Sequence, residues 1–160
     1  MSEVVFQLSR DDTLGSDLIS WFDQGFSHVD TRLDSGWLLG ARDDVVVVDN
    51  RLYPSGVQIR PPGYRKFSKT MLFAIECTFE QKDAFNTYQR SQLGRPYDSK
   101  AIWGFVFGRD WREADSWICS ELAAASLEQA GIIKKLYLEA NRITPGALAL
   151  VLSALGGSPH

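Results

Sequence analysis

The run Asp115-Ser116-Trp117-Ile118-Cys119-Ser120-Glu121-Leu122 places a thiol where a helix is expected to begin. Ser116 is a natural N-cap, so Cys119 should fall in the first turn, where free backbone amides and the helix dipole favour an anion. A free thiol titrates near ~8.5, and such a position lowers that value toward neutrality, where a thiolate can attack a carbonyl. The alternative role is a buried small apolar side chain, the commoner use of a lone cysteine. Cys77 illustrates that alternative, lying in the strand-like stretch Leu72 to Phe79 with no helix start nearby. After Cys119, Leu122-Ala123-Ala124-Ala125 is a small-residue run that would let its helix approach a sheet closely.

A thiolate hydrolase also needs a base, and the chain has two histidines. His160 is the terminal residue, a place where order is usually lost. His28 lies in Ser27-His28-Val29-Asp30-Thr31-Arg32-Leu33, where even positions are polar and odd positions mostly apolar, the pattern of a half-buried strand. His28 therefore shares a face with Asp30 and Arg32. A surface or structural histidine fits that pattern too; what favours a base is its pairing with a helix-start cysteine, which need be near only in space. A turn at Asp34-Ser35-Gly36 returns the chain as a strand over Trp37 to Arg42, placing Gly40 to Arg42 opposite His28 and Asp30. Gly40 and Ala41 cannot orient an imidazole, and Arg42 would oppose its positive charge. Asp30 is the best candidate for the orienting group, with a backbone carbonyl or a water as alternatives.

The elements that must hold these groups follow from periodicity. Val4 to Leu8 predicts a strand, and Asp12 or Thr13 to Phe22 a helix closed by Gly25. Further strands are expected over Val45 to Asp49, Gly56 to Ile59 and Met71 to Phe79. Helices are expected over Glu80 to Leu93, Trp117 to Ala130 and from Pro145 onward, proline suiting a helix's first turn. Helices around antiparallel strands make the fold class α+β. The 160 residues fit one catalytic domain, 1–155, followed by a flexible tail, 156–160.

Composition narrows the partners. A hydrophobic share of 44% and a charged share of 23% are ordinary for a globular domain, and the net charge of −3 gives no basic footprint for nucleic acid. No apolar run approaches the roughly 18 residues of a membrane span. Met1 to Arg10 lacks the basic start and apolar block of a signal peptide, so synthesis and first residence in the cytoplasm are expected. Two cysteines cannot staple a domain of this size, and the pattern offers no metal site, so neither a metal nor another cofactor is expected.

Three short motifs in one order, Phe26-Ser27-His28-Val29-Asp30, Leu93-Gly94-Arg95-Pro96-Tyr97-Asp98 and Trp117-Ile118-Cys119-Ser120-Glu121-Leu122, resemble the permuted NlpC-type papain-like cysteine hydrolases, the YiiX/YebB-like group. The resemblance spans about Asp12 to Gly131. It is similar above all to short phage or prophage-encoded members. It implies a circularly permuted papain-like fold, with histidine before cysteine and the cysteine helix packed on an antiparallel, barrel-like sheet. It also implies amide or ester hydrolysis through an acyl-enzyme, with Cys119 as nucleophile and His28 as base. Peptidoglycan peptide is the implied substrate. Tyr97 matches a tyrosine of the middle motif and is expected to line the cleft.

Trp103 and Trp117 are candidates for substrate contacts; Trp103, Phe105, Phe107 and Trp111 could form an apolar subsite, with core packing as the alternative. The loop Arg60 to Lys66 could cover a cleft or hold a substrate carboxylate, unless it is simply solvated. Competing functions are a lipid amidase, thioesterase or acyltransferase, and a catalytically silent binding or phage-structural module. A cell-wall substrate would require a phage lysis route or assembly into a virion. Iodoacetamide at neutral pH is expected to label Cys119 of the folded protein well ahead of Cys77; the reverse order removes Cys119 as the nucleophile.

Overall fold

The computed structural model describes residues 1–10, 25–98, 118–136 and 143–159. The expected helix over Asp12 to Phe22, and Trp103, Phe105, Phe107, Trp111, Ser116, Trp117 and His160, lie outside them. The described chain is α+β, with eight strands and three helices. In chain order the strands are β1 (Ser2–Arg10), β2 (His28–Arg32), β3 (Leu38–Arg42), β4 (Val46–Val48), β5 (Arg51–Tyr53), β6 (Gly56–Arg60), β7 (Lys69–Cys77) and β8 (Ser158–Pro159). The helices are α1 (Phe79–Ser91), α2 (Cys119–Gln129) and α3 (Pro145–Ala154). No described helix is long and apolar enough to cross a membrane.

Six strands form one antiparallel sheet in the order β6-β3-β2-β1-β7-β8, while β4 and β5 pair as a separate hairpin. Alternation sorts the side chains of the sheet. Val4, Phe6 and Leu8 of β1 share a face with Thr31 and Val29 of β2 and with Ile75, Phe73 and Met71 of β7. That face carries the main core, closed by Phe85 of α1, Ala123, Ala124 and Leu127 of α2, and Leu148 and Leu152 of α3. Phe6 and Phe85 meet edge-to-face, ring centroids 5.7 Å apart. The small side chains Ala123 and Ala124 bring α2 close to β2 and β3, against which it packs.

Local chemistry fixes the helix ends. Thr78 caps α1 through a reciprocal pair: its hydroxyl accepts from Gln81 N, and Gln81 Oε1 accepts from Thr78 N. Thr144 caps α3 ahead of Pro145. The start of α2 corrects the sequence reading. Ile118, not Ser116, is the N-cap, and Cys119 is the first helical residue. Ile118 has no side-chain acceptor; Glu121 reaches back toward Ile118 N instead, at 3.5 Å. The far terminus also departs from expectation. Ser158–Pro159 pair with Ala74 and Phe73, and Gly157 N donates to Leu152 O, so this part of the expected tail closes the sheet edge.

The opposite face of the sheet has its own cover. Leu38, Val46, Tyr53 and Tyr64 form a second buried cluster, flanked by Trp37, Val48 and Phe67. The β4–β5 hairpin turns at Asp49 and Asn50, whose φ values of 47° and 61° suit the tight two-residue connection. The sequence reading ended that strand at Asp49 and missed its partner. Hairpin and 61–67 loop together hide the polar face of β2 and β3 from water.

Candidate active site

The polar face of β2 is buried, which corrects the half-exposed strand expected from its pattern. His28 is 5% exposed and Asp30 1%, while Arg32 alone stays in solvent. The reason is the cover just described: Tyr64, from the loop expected to cover a cleft, to hold a substrate carboxylate or to be solvated, contacts both of them. Arg60, from the start of that loop, is fully buried at the end of β6.

Asp30 makes the central contacts. Its Oδ1 lies 2.9 Å from His28 Nε2, an ion-pair contact that the i,i+2 geometry keeps from being an aligned hydrogen bond. Its Oδ2 accepts from the Tyr64 hydroxyl at 2.9 Å, and the same hydroxyl lies 3.3 Å from His28 Nε2. Continuing the Thr31↔Leu39 register sets Asp30 against Gly40, and a β-carbon on Gly40 would fall on Asp30 Oδ1. Gly40, which offers no orienting group, instead supplies the space that the orienting carboxylate occupies.

Arg42 stands beside the pair, and its charge is engaged. Its Nε donates to Asp44 at 2.7 Å, and its NH1 donates to the Tyr64 hydroxyl at 3.3 Å. Arg65 also binds Asp44. Arg60 donates to Gly40 O at 3.0 Å and to Pro54 O and Gly56 O at 3.2 Å. The Arg42 and Arg60 guanidinium groups both lie over the Tyr64 ring, 5.6 and 5.7 Å from its centroid. Arg60 and Tyr64 lie in the loop expected to cover a cleft, but nothing in their local pattern, or in that of Asp44, links them to His28.

Electrostatics follow the geometry. Burial disfavours the charged form of His28, but the field and contact of Asp30, with help from Cys119 and against Arg42, raise its pKa to about 9. Burial likewise opposes ionisation of Asp30, yet His28, Tyr64 and Arg42 hold its pKa below the ordinary carboxylate value. The pair is therefore ionised at neutral pH. Burial, with the field of Asp30 behind it, keeps the Tyr64 phenol protonated.

Cys119 is 5% exposed and belongs to the apolar core that also holds Phe26 and Val29. Its charge would act on both His28 and Tyr97. Among the described residues no hydrogen bond links Cys119 to His28. Tyr97 is half-buried against Leu39, Ala41, Val57 and Leu122, and burial raises its pKa further than any neighbour does. Cys77, at the end of β7, is buried as expected, and that burial pushes its thiol up. No group of three or more potential metal ligands occurs among the described residues.

Two outcomes test this geometry. Gly40→Ala is expected to lose about 1–3 kcal/mol by overpacking and to let the His28 pKa fall toward 6.5 as the carboxylate is displaced. Denaturant unfolding and an NMR titration check it; an unshifted His28 would mean Asp30 does not occupy the gap at Gly40. The second outcome is the pH dependence of stability. Because the folded pKa of His28 lies above its free value of 6.5, its stabilising contribution is complete below 6.5 and is lost as pH rises through about 9. The contribution of Asp30 runs the other way, present above 3.8 and lost as pH falls through its lowered folded pKa. Urea unfolding from about pH 7 to 10 should show the wild type losing on the order of 3 kcal/mol relative to His28→Gln; a constant difference would mean that His28 is uncharged in the folded state.

No protein-family model matches the chain, and no curated protein matches it.

Proposed function

We propose that the protein is a cysteine hydrolase cleaving an amide bond through a thioester acyl-enzyme, built on a circularly permuted papain-like fold. One observation carries the reading: a histidine paired with a buried carboxylate lies within electrostatic reach of a cysteine at the first position of a helix. In the mechanism, the Cys119 thiolate attacks the substrate carbonyl, and free amides in the first turn of α2 stabilise the developing oxyanion. The His28 imidazolium gives its proton to the leaving amine. Neutral His28 then takes a proton from water, which attacks the thioester and releases the acid. The step this reading adds to the described contacts is a direct approach of His28 Nδ1 to Cys119 Sγ, since Nε2 is committed to Asp30.

Peptide is the proposed substrate class, with peptidoglycan stem peptide foremost, on the strength of the motif resemblance around His28, Tyr97 and Cys119. The chemistry of the groups requires no metal and no organic cofactor. Delivery through a phage lysis route or a virion would bring such an enzyme to the wall.

The test is covalent trapping. Peptide-like and lipid-like electrophiles are incubated with the folded protein, and adducts are mapped by mass spectrometry. A peptide-type adduct on Cys119, abolished by His28→Gln, is expected, and Cys119→Ala should fold like the parent yet turn over no peptide substrate. Preferential capture of acyl-lipid probes would move the substrate class to lipids. Failure of Cys119→Ala to fold would leave the thiol as a core side chain.

A further inference from the structure

The orienting group of His28 has a feature that the Cys–His–Asp reading does not contain: a tyrosine hydroxyl in contact with both members of the pair. Tyr64 Oη lies 2.9 Å from Asp30 Oδ2 and 3.3 Å from His28 Nε2, and it accepts from Arg42 NH1 at 3.3 Å. The polarity of these contacts is fixed by what each group can do. Arg42 has only protons to give, and ionised Asp30 can only accept. The single phenolic proton is therefore directed to Asp30 Oδ2. Toward His28, Tyr64 has only a lone pair left.

Asp30 Oδ1, 2.9 Å from the same Nε2, is also an acceptor. Two acceptors thus converge on one ring nitrogen. A bare Nε2 lone pair in that place would face two others inside a buried site, so Nε2 must carry a proton shared between them. We propose that Tyr64 is the positioning residue of His28: its hydroxyl clamps Asp30 and selects the Nε2–H tautomer, leaving Nδ1 as the basic nitrogen. Asp44, Arg42, Tyr64, Asp30 and His28 then form one chain of hydrogen bonds and charge contacts, in which Arg42 donates to both its neighbours and Asp30 accepts from both of its own. The ring of Tyr64 is also packed against the Arg42 and Arg60 guanidinium groups and meets Phe67 edge-on at 5.7 Å, which restricts where its hydroxyl can lie. The consequence for catalysis rests on the hydrolase reading; the tautomer does not.

The experiment is nitrogen-15 NMR of the His28 ring in a His160→Gln background, which leaves one histidine to observe. Spectra are taken above the pH at which the ring loses its charge. The Nε2–H tautomer is expected to dominate, and a dominant Nδ1–H tautomer overturns the proposal. Tyr64→Phe keeps the ring against the two arginines and removes only the hydroxyl. It is expected to lower the Nε2–H fraction and to slow iodoacetamide alkylation of Cys119 at neutral pH by roughly tenfold, the worth of one hydrogen bond to an ionised group. An unchanged tautomer ratio in Tyr64→Phe overturns the positioning role. Should that variant not fold, the wild-type tautomer alone decides. If His28→Gln leaves Cys119 alkylation unchanged while the tautomer responds to Tyr64→Phe, the hydrolase reading fails and the assignment of Tyr64 stands.

Discussion

A histidine and a carboxylate, both almost wholly removed from water, sit 2.9 Å apart on one strand, β2, inside this sheet. Burying two charges costs several kcal/mol for each ion, and mutual attraction alone seldom recovers it. The surrounding structure can be understood as the set of contacts that makes this pair tolerable. Tyr64 satisfies the second carboxylate oxygen, Arg42 and Arg60 add positive potential around Asp30, and Gly40 leaves the volume in which the carboxylate fits. The hairpin and the 61–67 loop then exclude solvent, which strengthens every one of these interactions. Remove any single partner and the cost of the remaining buried charge is exposed.

The arginine beside the histidine shows how a conflict in the sequence is resolved in three dimensions. Arg42 does oppose the positive form of His28, and it lowers the pKa of the ring. Its charge is drawn off by Asp44, which Arg65 shares. What remains useful is its ability to donate: one N–H is spent on the Tyr64 hydroxyl and thereby sets the direction of the phenolic proton. Asp30 outweighs Arg42 because it is in contact with the ring while Arg42 is neutralised at its other end. A residue that looked like an obstacle becomes the far support of the histidine.

How much of this could be read from the chain depends on the sequence distance over which each interaction acts. Period-two alternation locates β2, β-rich stretches locate β1, β6 and β7, and the Asp34-Ser35-Gly36 turn returns the chain as β3 in a register that sets Gly40 near Asp30. Asp30 shares a face with His28 in the strand pattern, and the two are in contact at 2.9 Å. Helical spacing and small residues located α2, although the capping signal misplaced its start, because Ile118 occupies the cap with no polar side chain to announce it. The loop Arg60 to Lys66 reads as a cover for a cleft, but nothing local singles out Tyr64. It lies 36 positions from His28 and 34 from Asp30, in a proline-bearing loop whose composition resembles any solvated connection. Asp49 and Asn50 did carry a usable signal, since both types accept positive φ, and reading them as a turn would have revealed β5 and the cover over the site.

The two faces of the sheet place His28 and Cys119 in different environments. Val29 and Thr31 face the helical core, whereas His28 and Asp30 face the polar cover, so every substitution on β2 acts on one environment only. Cys119 belongs to the helical side, where α2 is held to β2 and β3 by Ala123, Ala124 and Leu122. His28 stands at the first position of its strand, with no further β2 residue to continue the alternation ahead of it. An end position is the place from which a side chain of one face can act on a group of the other. Cys119 acts on His28 through its field, while the proton arrangement that makes Nδ1 basic is set from the polar side. On the proposed mechanism, nucleophile and base are thus positioned by separate cores that share one sheet, and the sheet's register is what keeps them in step.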